Sequence, residues 1–545
     1  MLIRELILPV NAASSSSKRR DGIVLITVWL LLSVGALAIA KQNLSVPGLY
    51  YDEAVFAGLA KDFVVSKKRL HMPGCERPIF FGRPCPTFVQ PYLGALKSWM
   101  LVPGFALFGS SVAVLRLTTL LWALLALLVF MLAARRALGL RVALISGILL
   151  IADPNYFFLG LLDWGASVGA FLCRCLAFWL ALLWWQRRNL LYLFLASLFL
   201  GLGVFNKVDF LVFISATSIA AVCLYGRPIW TELRARLSIV TIVCLGFLLG
   251  ACAMIFKIGR IVSLTTAGRA SMGPRELSEK LHTLVAMYDG SYFHRLMNIG
   301  GVFEKMYDQP AGAHALLGLI LALAIIAAAI FSRERHLVRM IRFLLVSLFL
   351  ITVGMLILPG AVRIHHAILA FPFPQLIIAV TCVFLWDRES TKSIRRVTRP
   401  TIAAAILILI GSDLLAISKT ETLLTETGGR GRWSNEFDRF CRENKNRSDL
   451  VIASLDWGFN EQLAFLTDAP KLVEPFWGFP QYKELPPLPH QPQYIYLAHP
   501  TEYSLFRYDL VYLEALRGGG ENVEISPYTD RQGQVVFYTI RFPAD

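Results

Sequence analysis

Apolar residues in this chain run in long unbroken blocks instead of alternating or recurring on one helix face. A bilayer crossing needs ~20 mostly apolar residues. About eleven stretches fit that description: roughly 22–40, 112–134, 142–161, 165–186, 190–206, 209–225, 238–256, 313–331, 343–359, 367–386 and 401–417. The first is too long for a leader-peptide core and has no small-residue cleavage site before the polar loop, so it reads as a retained span. A Ser-rich stretch, 13–17, and Lys18, Arg19 and Arg20 precede it.

Basic residues between the blocks give an orientation. With Lys18–Arg20 inside, Arg135, Arg136, Arg141, Arg187, Arg188, Arg227, Arg234, Arg236 and the clusters Arg333–Arg342 and Arg388–Arg399 fall inside as well. Residues 1–21 are then a cytoplasmic N-terminus and 22–417 a transmembrane domain with long outer loops at 41–111 and 257–312. Short turns near 162–164, 207–208 and 360–366 face the same outer side. The tail, 418–545, has turn-rich segments such as Gly428-Gly429-Arg430-Gly431 and Pro486-Pro487-Leu488-Pro489 between short β-rich runs. Strands are expected at Leu450–Ser454, Tyr494–Leu497 and Val535–Arg541, with a helix at Asn460–Leu466. The expected architecture is an α-helical polytopic membrane protein with a small C-terminal α/β extracytoplasmic domain.

Composition agrees: 545 residues are 56% hydrophobic and 17% charged, against ~45–50% apolar and ~25% charged in soluble domains. A net charge of +16 would suggest nucleic acid in a soluble protein. Here much of the charge marks span ends, so membrane lipids are the expected surroundings and no nucleic acid partner is expected. Nine cysteines are few; Cys75 and Cys85, ten residues apart in a polar loop, are a possible disulfide if that loop is outside the cytoplasm. The chain has no Walker loop, dinucleotide fingerprint, zinc-ligand spacing or nucleophile elbow, and no internal repeat stands out.

Function in such a chain should sit where polar groups persist against the cost of the bilayer. Asp52 and Glu53 open a segment in which Val55, Phe56, Leu59, Ala60 and Phe63 fall at helical spacing, which suggests an amphipathic helix on the outer membrane surface. The two carboxylates read either as a helix cap or as catalytic groups, with Asp52 a general base at the membrane boundary. Asp163, in Leu162-Asp163-Trp164-Gly165, caps the next span or faces a polar cavity. Lys207, in Phe205-Asn206-Lys207-Val208-Asp209, snorkels or holds a phosphate. Arg363, His365 and His366 crowd one outer turn, although adjacent residues on a regular helix do not share a face, so a metal site made by both histidines is not expected. Arg174, near the middle of the fourth span, needs a polar partner, expected to be a carboxylate. Asp52, Asp163, Lys207 and Arg363/His365 share one side, which suggests an outer-face cavity for an anionic, lipid-borne substrate.

These motifs resemble the GT-C superfamily of polyprenyl-phosphate-sugar glycosyltransferases, with the protein O-mannosyltransferase-like and lipid A aminoarabinose transferase families nearest. The resemblance rests on Asp52-Glu53-Ala54 followed by Phe56-Ala57 and Ala60-Lys61, on Leu162-Asp163-Trp164-Gly165, and on Gly203-Val204-Phe205-Asn206-Lys207. It extends to Arg83-Pro84 before a surface helix at Tyr92–Leu107, to Leu115-Arg116-Leu117, and to Arg363–His366 with Pro372 and Pro374. It is best over roughly 22–260. It implies a GT-C-like cell-envelope transferase with Asp52 catalytic and Asp163 the second acidic motif. Val55 stands where the family often has a basic residue, and Gly82 where it often has a carboxylate, Glu76 being the nearest substitute. That argues against a divalent metal in the site. The Pro154-to-Asp163 interval is also shorter than the family's.

The implied reaction is inverting transfer of a sugar from a polyprenyl-phosphate carrier to an acceptor (lipid, glycan or protein) at the outer face of the cytoplasmic membrane. Asp52 deprotonates the acceptor, while Lys207 with Arg260 or Arg269 stabilises the departing phosphate. A transporter or flippase would instead keep polar sites at the midplane and show repeat symmetry; a scaffold would use Trp433, Trp457 and Trp477 to bind a partner.

Overall fold

The computed structural model describes residues 15–235, 237–301, 335–361, 363–387, 392–474, 491–506 and 522–543, with a few single positions between them. Ten of the expected spans are helical, and the eleventh, 313–331, lies outside the described residues save for two single positions. Among the described residues eight helices are long and apolar enough to cross a membrane, or nine if one bent pair counts as a span. Leu190–Asn206, at 17 residues, is shorter than the rest. Side chains such as Leu245, Leu248 and Leu249 point outward with about half their surface uncovered, as lipid-facing positions do. This is a multi-pass membrane protein.

The expected span 142–161 is not one straight helix. It breaks between Leu140–Ala152 and Pro154–Leu162 with a bend of 66°. Asp153 caps the second piece, accepting from the Asn155 amide at 2.9 Å, and Pro154 follows at its first position. Proline has no N–H to continue the preceding ladder and disfavours helical geometry in the residue before it, so the helix ends and restarts. Elsewhere small residues set the packing. A Cβ on Gly201 would lie 2.2 Å from the Phe247 carbonyl oxygen, and one on Gly250 2.3 Å from that of Leu198. The helices 190–206 and 237–255 therefore touch backbone to backbone, the contact small residues permit in membranes.

Among the described residues Arg174 pairs with no carboxylate. Its Nη1 donates to the Leu369 carbonyl at 2.8 Å, and its guanidinium lies 5.1 Å from the Phe171 ring centre and 5.3 Å from that of Phe213. The 3-10 turn Ile368–Ala370 leaves carbonyls outside a regular helical ladder, and they accept from the cation where the sequence suggested an acid, while Nε is buried without a partner among the described residues. Cys75 and Cys85 are free thiols.

The helix Tyr51–Val65 does not lie on a membrane surface. Eleven of its residues are buried, because it is apolar on nearly every side, and such a helix needs cover all round. The helix Leu96–Phe108 covers one side, with Ser98 Oγ donating to the Phe56 carbonyl at 2.9 Å. The tail covers another. Its five-stranded sheet runs, in spatial order, Lys471–Val473, Val451–Ser454, Tyr494–Ala498, Val535–Arg541 and Glu524–Thr529. The first three strands are parallel and the last two antiparallel to their neighbours. The span before it, Lys392–Thr427, continues well past residue 417 before the chain turns at Gly428-Gly429.

Buried polar contacts hold tail to loop. Lys61 Nζ donates to the carbonyls of Phe465 (2.6 Å) and Thr467 (3.0 Å) and pairs with Asp468 at 2.7 Å. His71 sits between Glu461 (2.6 Å) and Asp62 (3.2 Å). Burial pulls the His71 pKa down, but Glu461 and Asp62 outweigh it and hold it at about 9. Its folded value lies above the ordinary 6.5, so its contribution is complete below about pH 6.5 and is lost as pH rises through about 9. Thermal midpoints measured from pH 6 to 10 should fall over that window, and His71→Gln should flatten the fall.

Candidate active site

The first outer loop, two inter-helix turns and the tail meet around one cavity of about 310 Å³. Tyr51, Asp52, Val55 and Phe56 line it from one helix, Met72, Val89, Gln90, Tyr92 and Leu93 from the loop, and Gly165, Lys207, Gly360, Arg363, His365, His366 and Trp457 complete it. Asp52 is the one carboxylate in this lining. It is partly exposed to the cavity and has no hydrogen bond or ion pair among the described residues. Glu53 takes the capping role, accepting from the Tyr50 amide at 3.2 Å. Burial raises the Asp52 pKa from its ordinary 3.8, and Arg363, Lys207 and Lys97 pull it partly back.

Lys207 ends its helix in extended backbone (φ −161°, ψ 132°), which directs its side chain back across the turn. Its Nζ meets Asp209 Oδ2 at 3.0 Å, and His366 Nδ1 meets the same oxygen at 2.9 Å. Asp209 thus orients both Lys207 and His366; burial would raise its pKa, but these two neighbours hold it below the ordinary value. Arg363 Nη1 donates to Tyr50 Oη at 2.5 Å. The rings of His365 and His366 lie 4.3 Å apart and both reach the cavity, because the helix there is a single turn, Ile364–Ala367. Gly165, at φ +60°, lies under His365: a Cβ there would come within 2.6 Å of the imidazole.

Other sequence-predicted residues are elsewhere. Asp163 is buried behind the lining, where its Oδ1 accepts from the Val168 amide at 2.7 Å. Its partner is Lys97, whose Nζ donates to the Asp163 carbonyl at 2.6 Å and lies 3.7 Å from Oδ2. Glu53 and Arg116 form a fully buried pair away from the cavity, 2.9 and 3.0 Å apart at two contacts. Arg83 stacks over Phe63, and Arg260 and Arg269 are exposed on the helix Ile258–Ser271. Glu76 pairs with Lys257 at 2.5 Å. Among the described residues no group of three or more His, Cys, Asp or Glu is placed to hold a metal ion.

Sequence reasoning passed over Lys97 and Asp209, and gave Trp457 only a partner-binding role in a scaffold. One signal was available. The tetrapeptide Leu-Asp-Trp-Gly occurs at 162–165 and again at 455–458, and both tryptophans converge on Tyr50-Tyr51. Trp164 lies 5.4 Å from Tyr50, and Trp457 lies 4.4 Å from Tyr51. Trp433 stacks on Tyr50 at 4.2 Å and is fully buried; Trp477 lies outside the described residues.

This arrangement of helices and tail matches a solved one. ArnT from Cupriavidus metallidurans superposes in its apo state with a TM-score of 0.56 at 13% identity, over 96% of this chain and 98% of that one. The fold is GT-C. The same protein bound to undecaprenyl phosphate gives a TM-score of 0.54 at 13% identity, over 97% of this chain and 98% of that one. The Archaeoglobus fulgidus oligosaccharyltransferase tethered to an acceptor peptide gives 0.50 at 13% identity, with 83% of this chain covering 64% of that one. The dolichyl-phosphate-mannose-protein mannosyltransferase family model matches residues 93–254, a segment that holds Asp163 and Lys207 but not Asp52. No curated protein matches the chain in sequence.

Proposed function

We propose that this GT-C protein is a membrane glycosyltransferase that moves a sugar from a polyprenyl-phosphate carrier to an acceptor hydroxyl, with inversion at the sugar carbon. The observation that carries the reading is the lining of one cavity: an unpaired carboxylate, Asp52, among Lys207, Arg363 and two histidines. Asp52 takes the proton of the acceptor hydroxyl, whose oxygen attacks the anomeric carbon. The bond from that carbon to the phosphate oxygen breaks, and its electron pair leaves with the phosphate. Lys207 and Arg363 stand where that charge develops, fixed in advance by Asp209 and Tyr50, as electrostatic catalysis requires. Binding of undecaprenyl phosphate by the similar ArnT supports a polyprenyl donor. The basic inner loops support a site on the outer face of the cytoplasmic membrane.

The test is to identify by mass spectrometry any lipid-linked sugar that co-purifies with the full-length protein. That lipid is then supplied to reconstituted protein together with membrane-extracted acceptors. The expected result is release of polyprenyl phosphate with the sugar appearing on an acceptor. A transporter would move the lipid intact; a donor that binds and is never cleaved, whatever the acceptor, overturns the reading.

A further inference from the structure

Two aromatic side chains in the cavity carry donor groups that nothing among the described residues engages. Tyr51 is 3% exposed, and its hydroxyl is buried without a hydrogen-bond partner. Trp457 is half-buried, lines the cavity, and its indole N–H has no partner among the described residues. The two rings lie 4.4 Å apart. An orphaned buried hydroxyl such as that of Tyr51 is uncommon in folded proteins and calls for an explanation.

The tail holds Trp457 firmly. Asp456 Oδ1 accepts the Trp457 amide at 2.8 Å, and Arg432 Nη1 donates to the Trp457 carbonyl at 2.5 Å. Arg432 also pairs with Asp456 Oδ2 at 2.5 Å and places its guanidinium 5.6 Å from the indole centre. His499 Nδ1 contacts the same Asp456 oxygen at 2.8 Å. This buried network clamps the backbone on both sides of Trp457, whose side chain lines the cavity.

We propose that Tyr51 and Trp457 form a subsite for a saccharide ring of the acceptor. This inference rests on the glycosyl-transfer reading of the same cavity. A pyranose presents an apolar C–H face and a rim of hydroxyls. A flat aromatic surface takes the face, as aromatic side chains with a polar handle do at half-wet sites. The Tyr51 and Trp457 donors take the hydroxyls, and the first of these bonds fills a buried vacancy that an aliphatic ligand would leave unmet at a cost. Tyr51 adjoins Asp52 in sequence, so a ring held here brings a hydroxyl toward the base. The tail is then part of the active site, since one wall of the acceptor subsite comes from its second Leu-Asp-Trp-Gly turn.

Full-length protein in nanodiscs tests this, probed by saturation-transfer NMR with the methyl glycosides of glucose, galactose and mannose and with an acetylated Ser/Thr-containing hexapeptide. At least one glycoside should show transfer and the peptide none. Trp457→Ala should weaken glycoside binding about tenfold or more. Tyr51→Phe, which keeps the ring stack, should weaken it several-fold, and so should Trp457→Phe if the alanine variant does not fold. Binding of undecaprenyl phosphate to the same preparations should be unchanged. No glycoside signal, or one that survives both Trp457→Phe and Tyr51→Phe, overturns the subsite. Glycoside binding without undecaprenyl-phosphate binding instead overturns the transfer reading and leaves a saccharide site.

Discussion

Asp52→Asn should lower the rate of sugar transfer by about 10²–10⁴-fold, the usual worth of a general base, with expression and thermal midpoint unchanged. The substitution is nearly isosteric and breaks no contact, because Asp52 has no hydrogen bond or ion pair among the described residues. It removes only the capacity to take a proton. Single-turnover release of polyprenyl phosphate at saturating donor reads the effect without interference from lipid delivery. The wild-type pH profile supplies a second reading. The base must be ionised, so the rate falls as pH falls through its pKa, and burial raises that pKa above the ordinary 3.8. The acid limb should therefore stand above that of a solvent-exposed aspartate. Removing one of the cations that pull it back, as in Lys207→Gln, should move the limb further up. Transfer within about threefold of wild type in Asp52→Asn sinks the assignment, since a general base is worth far more.

Much of the membrane portion was legible because hydrocarbon imposes one simple rule, a run of apolar residues per crossing. The bend at Asp153-Pro154 escaped because hydropathy carries straight across it, although Asp-Pro is a helix-start signal. At the site, Asp52, Lys207, Arg363, His365 and His366 could be picked out because each is polar at a span end, where solvation disfavours it. Arg83, Arg116, Arg260 and Arg269 carry the same kind of signal and lie outside the cavity lining. Sequence can assign a residue to a level in the membrane but cannot say which way its helix is turned. Asp209 was missed because its value lies in reaching back to Lys207 through one extended residue. Trp457 could not be placed at the site because the tail meets the first outer loop through contacts some four hundred residues apart, such as Lys61 to Thr467.

The neighbouring carboxylate should behave in the opposite way. Glu53 and Arg116 are both fully buried. Besides Glu53, Arg116 Nη1 donates to the carbonyls of Pro47 (2.7 Å) and Leu44 (3.3 Å), and Nη2 to that of Gly48 (3.2 Å). One guanidinium thus ties the segment entering the Tyr51–Val65 helix to the span Val112–Leu138. Glu53→Ala leaves that guanidinium buried without its counter-charge, a loss of about 3–5 kcal/mol in comparable pairs. The thermal midpoint in detergent should drop sharply, and yield with it. Replacing both partners by apolar residues, Glu53→Leu with Arg116→Met, should recover part of the loss, because the pair's attraction is largely offset by its desolvation. Transfer per folded molecule should survive in that double variant, as neither side chain lines the cavity. The opposite pattern, Glu53→Ala silent on the midpoint but inactive, would show that Glu53 acts in the chemistry and that the two adjacent carboxylates share one task.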